Sequence, residues 1–141
     1  MTFRSGTMDD SPLLAQLNQQ LIQDEGHRNR MTLTELERRM RGWLTNEYRA
    51  VLYEDGGEVV AYALFREQEQ EIYLRQLLVV PDRRRQGIGR RAVEILRSQV
   101  WPKTKRLTVD VLVTNHSALA FWRAVGYQDY ALTLEIMPEA V

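Results

Sequence analysis

The 141-residue sequence has no cysteine. A disulfide framework, a thiolate nucleophile and a thiolate metal site are therefore all excluded. Histidine is scarce, and His27 and His116 stand too far apart to make a ligand pattern, so no metal is expected. The 19 basic and 19 acidic residues leave a formal net charge of zero. Generic polyanion binders carry a net basic face, so nucleic acid is not an expected partner. No apolar run approaches the roughly 20 residues of a membrane helix. The N-terminus also lacks the apolar core of a signal peptide. The expectation is a soluble cytoplasmic protein, monomer or homodimer, with no membrane partner. Hydrophobic content of 44% and charged content of 27% are ordinary for a globular chain, and no repeat or low-complexity segment interrupts it. Residues 1–141 read as a single domain.

The most informative stretch runs from Gln76 to Ala92. Leu77, Leu78, Val79 and Val80 lead into Pro81, which cannot donate to a sheet ladder, so a strand stops there. Arg83, Arg84, Arg85 and Gln86 follow, then Gly87, Ile88 and Gly89, then a helix-forming run from Arg90. A strand, a glycine-containing turn and a helix N-terminus together present unpaired N–H groups and the positive end of a helix dipole. That combination binds phosphate. Gly87-x-Gly89-x-x-Ala92 also fits a dinucleotide fingerprint. That fingerprint places its first glycine directly at the strand end, whereas six residues separate Val80 from Gly87 here.

The remaining elements follow in order. Thr2 to Ser5 is a candidate first strand. Ser11 reads as an N-cap with Pro12 at the first helical position, and Leu13, Leu14, Leu17 and Leu21 share a face, so a helix is expected over about 12–24. Thr32-x-x-Glu35 is a capping box, and Leu33, Leu36, Met40, Trp43 and Leu44 mark a second helix over about 33–45. Tyr48–Tyr53 and Val59–Phe65 flank Asp55-Gly56-Gly57 as a hairpin. A strand over 72–80 precedes the glycine turn, and Trp101-Pro102 ends the helix after it. Leu107, Val109, Val111 and Val113 alternate with polar or opposite-face residues and predict a strand. Asn115 caps a helix that Gly126 stops. Tyr130, Leu132, Leu134 and Ile136 alternate again and predict a last strand. The order is β-α-α-β-β-β-α-β-α-β.

Arg84-x-x-Gly87-x-Gly89 resembles the acyl-coenzyme A signature of the GCN5-related N-acetyltransferases (the GNAT family). Asn115-x-x-Ala118-x-x-Phe121-Trp122-x-x-x-Gly126-Tyr127 resembles that family's second helical motif. The resemblance implies a mixed α/β fold with a twisted sheet of six to seven strands and about four helices. It implies acetyl-CoA as cosubstrate, and two parallel strands, at 72–80 and 106–113, splayed apart where the thioester enters. It further implies that Leu77, Leu78 and Val79 bond the pantetheine arm, and that Arg84, Arg85, Gln86, Gly87, Ile88, Gly89 and Arg90 hold the pyrophosphate. Asn115 and Trp122 are expected on the same ligand. One wall of the acceptor site is expected in the loop carrying Asp24, Glu25, His27 and Arg28, whose polar residues equally suit a solvated connection.

Transfer of acetyl to an amine requires the amine to lose a proton before attack. Asp110 is the first candidate base, by its place on the 106–113 strand, and it also suits an ordinary solvent-facing strand position. Glu71 is a second candidate base. Trp122 stands where the resembled family often has a tyrosine that protonates the departing thiolate, and an indole N–H is no useful acid. Tyr127 is then a candidate acid. The expected activity is an N-acetyltransferase for a primary amine on a small molecule. A protein N-terminus or lysine is an alternative acceptor, and a catalytically idle acyl-CoA-binding module is an alternative function.

Overall fold

The computed structural model describes residues 1–26 and 28–140. Strand β1 (Thr2–Ser5) leads through a single 3₁₀ turn into α1 (Ser11–Glu25) and α2 (Leu33–Thr45). Strands β2 (Tyr48–Asp55), β3 (Glu58–Glu67) and β4 (Glu71–Val79) follow as a meander. Helix α3 (Ile88–Ile95) continues into a π-helical turn at Leu96–Val100, then come β5 (Arg106–Val109) and α4 (His116–Ala124). The sheet order is β1-β2-β3-β4-β5, antiparallel except for the parallel β4–β5 pair.

Local chemistry explains most boundaries. Thr32 Oγ1 accepts the Glu35 amide at 3.2 Å and Glu35 returns a carboxylate to the Thr32 amide at 2.9 Å, so the capping box fixes the start of α2. The N-cap of α1 is Asp10 rather than Ser11, whose buried hydroxyl is the first residue of the helix. Gly56 and Gly57, at φ 61° and 84°, form the left-handed two-residue turn that lets β2 and β3 twist together.

Each sheet face carries its own core. Leu14, Leu21, Met40, Leu52, Tyr62, Leu64 and Leu78 pack on the side of α1 and α2. Tyr53, Phe65, Ile72, Leu74, Ala92, Ile95, Leu96 and Trp101 pack on the side of α3. Both faces of β2 and β3 are covered, which is why their sequences read as nearly continuous apolar runs.

In β4 the parity changes partway. Ile72 and Leu74 face α3, and so do Leu77 and Val79. Register explains it: Leu64 pairs with Gln76 while Phe65 pairs with Leu74, leaving Arg75 as an extra residue, a β-bulge. Pairing with β5 ends at the same place, at Leu74–Val109, while β4 continues to Val79.

Two expectations need correction. The strand expected over 106–113 stops at Val109, because β4 has diverged beyond it and no other strand flanks it. The last strand expected over Tyr130–Ile136 is absent, so the sheet has five strands rather than six or seven. Those residues pair with neither edge of the sheet and stay in solvent: Tyr130 is 85% exposed, Leu132 66%, Leu134 84% and Ile136 99%. The expected four helices are all present.

Between the layers, the Tyr62 hydroxyl donates to Gln76 Oε1 at 2.8 Å, and both side chains are buried. Tyr62→Phe leaves that oxygen without its donor. Thermal or denaturant unfolding should show a loss of about 1–3 kcal/mol, with the fold retained.

Candidate active site

The bulge and the end of β4–β5 pairing create a wedge between two strands that are parallel below it. Above Leu74, the edge of β4 that faced β5 is open, over Arg75 to Val79. Asp110 is the first residue after β5, directly beyond the last pair, so it stands at the root of the wedge. Tyr73 donates its hydroxyl to Asp110 Oδ2 at 2.8 Å. Burial, then the Asp110 hydrogen bond, pushes the Tyr73 hydroxyl up to about 12, so it remains a proton donor at neutral pH. Sequence reasoning missed Tyr73. Its link to Asp110 depends on the register that sets it opposite Thr108, which the sequence does not show.

On the mouth side of the wedge, the glycine turn has a specific backbone. Arg85 has φ 64° and Gly87 φ 77°, and Arg85 is the one non-glycine with positive φ among the described residues. Left-handed residues at this spacing turn successive N–H groups into one concavity at the start of α3. Such a conformation at a bulky residue carries strain and points to a functional constraint.

The two glycines serve different ends. A Cβ at Gly87 would meet nothing within 4 Å, so its backbone angle alone requires glycine. A Cβ at Gly89 would lie 3.2 Å from the Phe121 ring, so this glycine makes room for α4. The glycine turn and the α4 motif are thereby one packed unit. Asn115 caps α4 by accepting the Ala118 amide at 3.1 Å. Trp122 packs on the α3 core and makes edge contacts with Phe121 and Tyr127 at 4.9 and 5.3 Å between centroids.

Charges sort the five arginines of this region. Arg83 pairs with Asp55, Arg91 with Glu94 and Arg84 with Asp24. Arg84 Nε also donates to the Val79 carbonyl at 2.9 Å. Arg85 and Arg90 have no carboxylate at ion-pair distance among the described residues, so they are the two cations there that could meet an anion. Leu77, Val79 and Ile88 are half-buried on the α3 side, Leu78 is buried on the other, and Gln86 is exposed.

The other candidates are placed less favourably. Glu71 pairs with Arg106 at the closed end of β4–β5, where it accepts from Arg106 and Thr108 at 3.0 and 2.8 Å. The wedge does not bring it to Asp110. The Tyr127 hydroxyl is buried without a hydrogen-bond partner among the described residues, and burial pushes it up to about 12. A proton transfer from such a phenol to a thiolate is uphill. Of the expected acceptor wall, Asp24 is engaged by Arg84 and Gln20, and Arg28 pairs with Glu135 at 3.0 Å. Glu25 ends α1, and His27 lies outside the described residues.

A second cluster, unforeseen from sequence, lines the α1–α2 face beside the wedge. Arg39 and Arg75 lie over the Trp43 ring at 4.4 and 4.7 Å from its centroid. Arg75 also donates to the Tyr48 hydroxyl at 3.3 Å. Neither arginine has a carboxylate at ion-pair distance among the described residues. Burial, then the Arg75 charge, lowers the Arg39 pKa, and its Nε has no partner there.

No group of His, Asp and Glu among the described residues could hold a metal ion. No helix there is long and apolar enough to cross a membrane.

Comparison with known structures gives the same fold. A mutant of a Bacillus halodurans protein is 23% identical, with 99% of this chain and 100% of that chain covered and a TM-score of 0.82. An aminoglycoside 6′-N-acetyltransferase of Acinetobacter haemolyticus is 14% identical, with 99% of each chain covered and a TM-score of 0.77. An aminoglycoside N-acetyltransferase in complex with CoA is 11% identical, with 99% and 95% covered and a TM-score of 0.77. No protein of curated function matches in sequence. The model of the acetyltransferase (GNAT) family matches residues 15–127, a span that takes in the wedge, the glycine turn and α4. The chain belongs to that family of acetyltransferases.

Proposed function

We propose that residues 1–141 form one domain that transfers acetyl from acetyl-CoA directly to a primary amine of a small molecule. The observation that carries this reading is the wedge with Asp110 at its root and an anion-binding turn at its mouth. The chain fits the cosubstrate: the Arg85–Gly87 concavity with Arg85 and Arg90 suits a pyrophosphate, and the open edge of β4 over Leu77 to Val79 suits an amide-bearing arm. When bound, acetyl-CoA supplies an activated acetyl group as its thioester.

The residues then divide the work. Asp110 takes a proton from the acceptor ammonium, directly or through water, which frees the lone pair for attack. Tyr73 holds that carboxylate in place through its hydroxyl. Direct transfer, without an acyl-enzyme, fits a chain that has no cysteine. Trp122 and Tyr127 act in packing, and the thiolate leaves without a proton from either.

The acceptor reading rests on Arg39 and Arg75. Two guanidiniums on one ring, without a carboxylate among the described residues, favour an acceptor that carries an anionic group beside its amine.

The decisive experiment measures thiol release from acetyl-CoA over a panel of amines, alongside ligand-induced melting shifts. A melting shift with no release on any amine would favour the idle binding module. Gly87→Ala should abolish most of the acetyl-CoA melting shift while costing the apo protein only about 1 kcal/mol. Gly89→Val should instead lower the apo melting temperature, through its clash with Phe121.

Asp110→Asn should cut kcat by on the order of a hundredfold or more and leave the melting shift intact. Tyr73→Phe removes the hydroxyl that holds the Asp110 carboxylate, so kcat should fall by roughly tenfold with the acetyl-CoA melting shift unchanged. An unchanged kcat would detach Tyr73 from the base. On a confirmed substrate, Arg75→Ala should raise the acceptor KM by roughly tenfold, with the acetyl-CoA KM unchanged. Equal changes in both constants would remove Arg75 from the acceptor wall.

A further inference from the structure

On the α1–α2 side of the sheet, register aligns one row of side chains across four strands. Tyr48 pairs with Arg66, Arg66 with Tyr73 and Tyr73 with Thr108. The row begins on β2 beside α2, where the Trp43 and Tyr48 ring centroids are 5.5 Å apart. It ends on β5, just below Asp110. Neighbouring strands lie about 4.8 Å apart, so the row is roughly 14 Å long.

Charge is unevenly spread along it. At the β5 end, Glu71 is taken by Arg106 and Thr108. Asp110 has the Tyr73 hydroxyl and no basic group at ion-pair distance among the described residues. In the middle, Arg66 is neutralised by Glu47 at 3.1 Å. At the α2 end, the Arg75 guanidinium lies 4.7 Å from the Trp43 ring centroid and donates to the Tyr48 hydroxyl at 3.3 Å. Arg39 lies over the same ring at 4.4 Å and is held by Asn18 Oδ1 at 3.0 Å. Neither guanidinium has a carboxylate at ion-pair distance among the described residues. Two like charges are thus kept together beside one ring, and their repulsion is relieved by an anion. The unneutralised acid and the unneutralised cations stand at opposite ends of the row, roughly 10–14 Å apart.

We infer, on the basis of the acetyl-transfer reading above, that the acceptor is an ω-amino carboxylate, with its amine at Asp110 and its carboxylate at Arg75 and Arg39. Hydrogen bonds of about 3 Å at each end leave roughly 4–8 Å for the body between the charges. An α-amino acid reacting at its α-amine holds its charges too close together to reach both ends. γ-Aminobutyrate, its longer homologues and a diamino acid reacting at its side-chain amine span the gap. Reversed binding is repelled at both ends, because it sets carboxylate on carboxylate and ammonium on guanidinium. The ammonium gives one proton to Asp110, and the freed lone pair bonds the acetyl carbon. The C–S bond then breaks with its electron pair on sulfur, and the second proton lost from nitrogen neutralises the thiolate.

The test is a graded series: glycine, β-alanine, γ-aminobutyrate, δ-aminovalerate and ε-aminocaproate, each beside the alkylamine of equal length. Thiol release from acetyl-CoA should show kcat/KM rising on the order of a hundredfold from glycine to ε-aminocaproate. The longer acids should exceed their alkylamines by roughly tenfold, and Arg75→Ala should remove that advantage. Release that is indifferent to length, or that favours the alkylamines, overturns the inference and leaves acetyl transfer standing. A second readout needs no turnover. ε-Aminocaproate should raise the melting temperature of the wild type and glycine should not, with the shift lost in Arg75→Ala. That shift with no thiol release from any amine keeps the two-ended site and removes acetyl transfer. Neither release nor a shift removes both. Should Arg75→Ala not fold, the wild-type series decides alone.

Discussion

The active end of this protein depends on β4 leaving β5 at Leu74. A parallel pair that stayed in register to Val79 would bond all of its backbone groups internally and present none to a ligand. The Arg75 bulge coincides with the parting, and a bulge bends its strand and increases the local twist. It also re-aims the side chains. Without it, Leu77 and Val79 would face α1 and α2, and the buried Tyr62–Gln76 pair could not form. One extra residue thus sets the wedge, the apolar floor toward α3 and the polar link in the opposite core.

The glycine turn is shaped from the other side. Gly89 lets Phe121 of α4 sit against the first turn of α3, and Asn115 fixes where α4 begins. The two sequence motifs are therefore mechanically joined, though 25 or more residues separate them in the chain. Charge is distributed with the same economy. Acids take up Arg83, Arg84 and Arg91, and the cations left without an acid partner, Arg85 and Arg90, flank the left-handed turn. A neutral molecule can thus keep two cations beside one turn without a basic surface.

What could be read from sequence divides along physical lines. Features governed by neighbours in the chain were legible: the Thr32–Glu35 box, the Gly56–Gly57 turn, the Asn115 cap and the stop at Pro81 all depend on a few consecutive residues. Features governed by pairing were not. The alternation of 130–136 says that the segment has two faces and is silent on which edge it meets. The bulge at Arg75 was hidden because its neighbours remain strand-competent on both sides of it. Asp110 was found by its place on a strand. Tyr73 and the Arg39–Trp43–Arg75 stack were missed because their contacts join β4 to β5 and to α2, far apart in sequence.

The Asp24–Arg84 ion pair links these two kinds of feature. Asp24 lies in the last turn of α1, and Arg84 opens the glycine turn while its Nε holds the Val79 carbonyl. Both side chains are partly exposed, at 27% and 39%, so the pair is worth at most about 1 kcal/mol in stability. Its consequence is positional. The end of the helix that walls one side of the wedge is tied to the loop that closes the other. Any movement of that loop on binding an anion must break the pair, stretch it or carry the end of α1 along. The two sides of the wedge are thus joined by a contact weak enough to break and re-form.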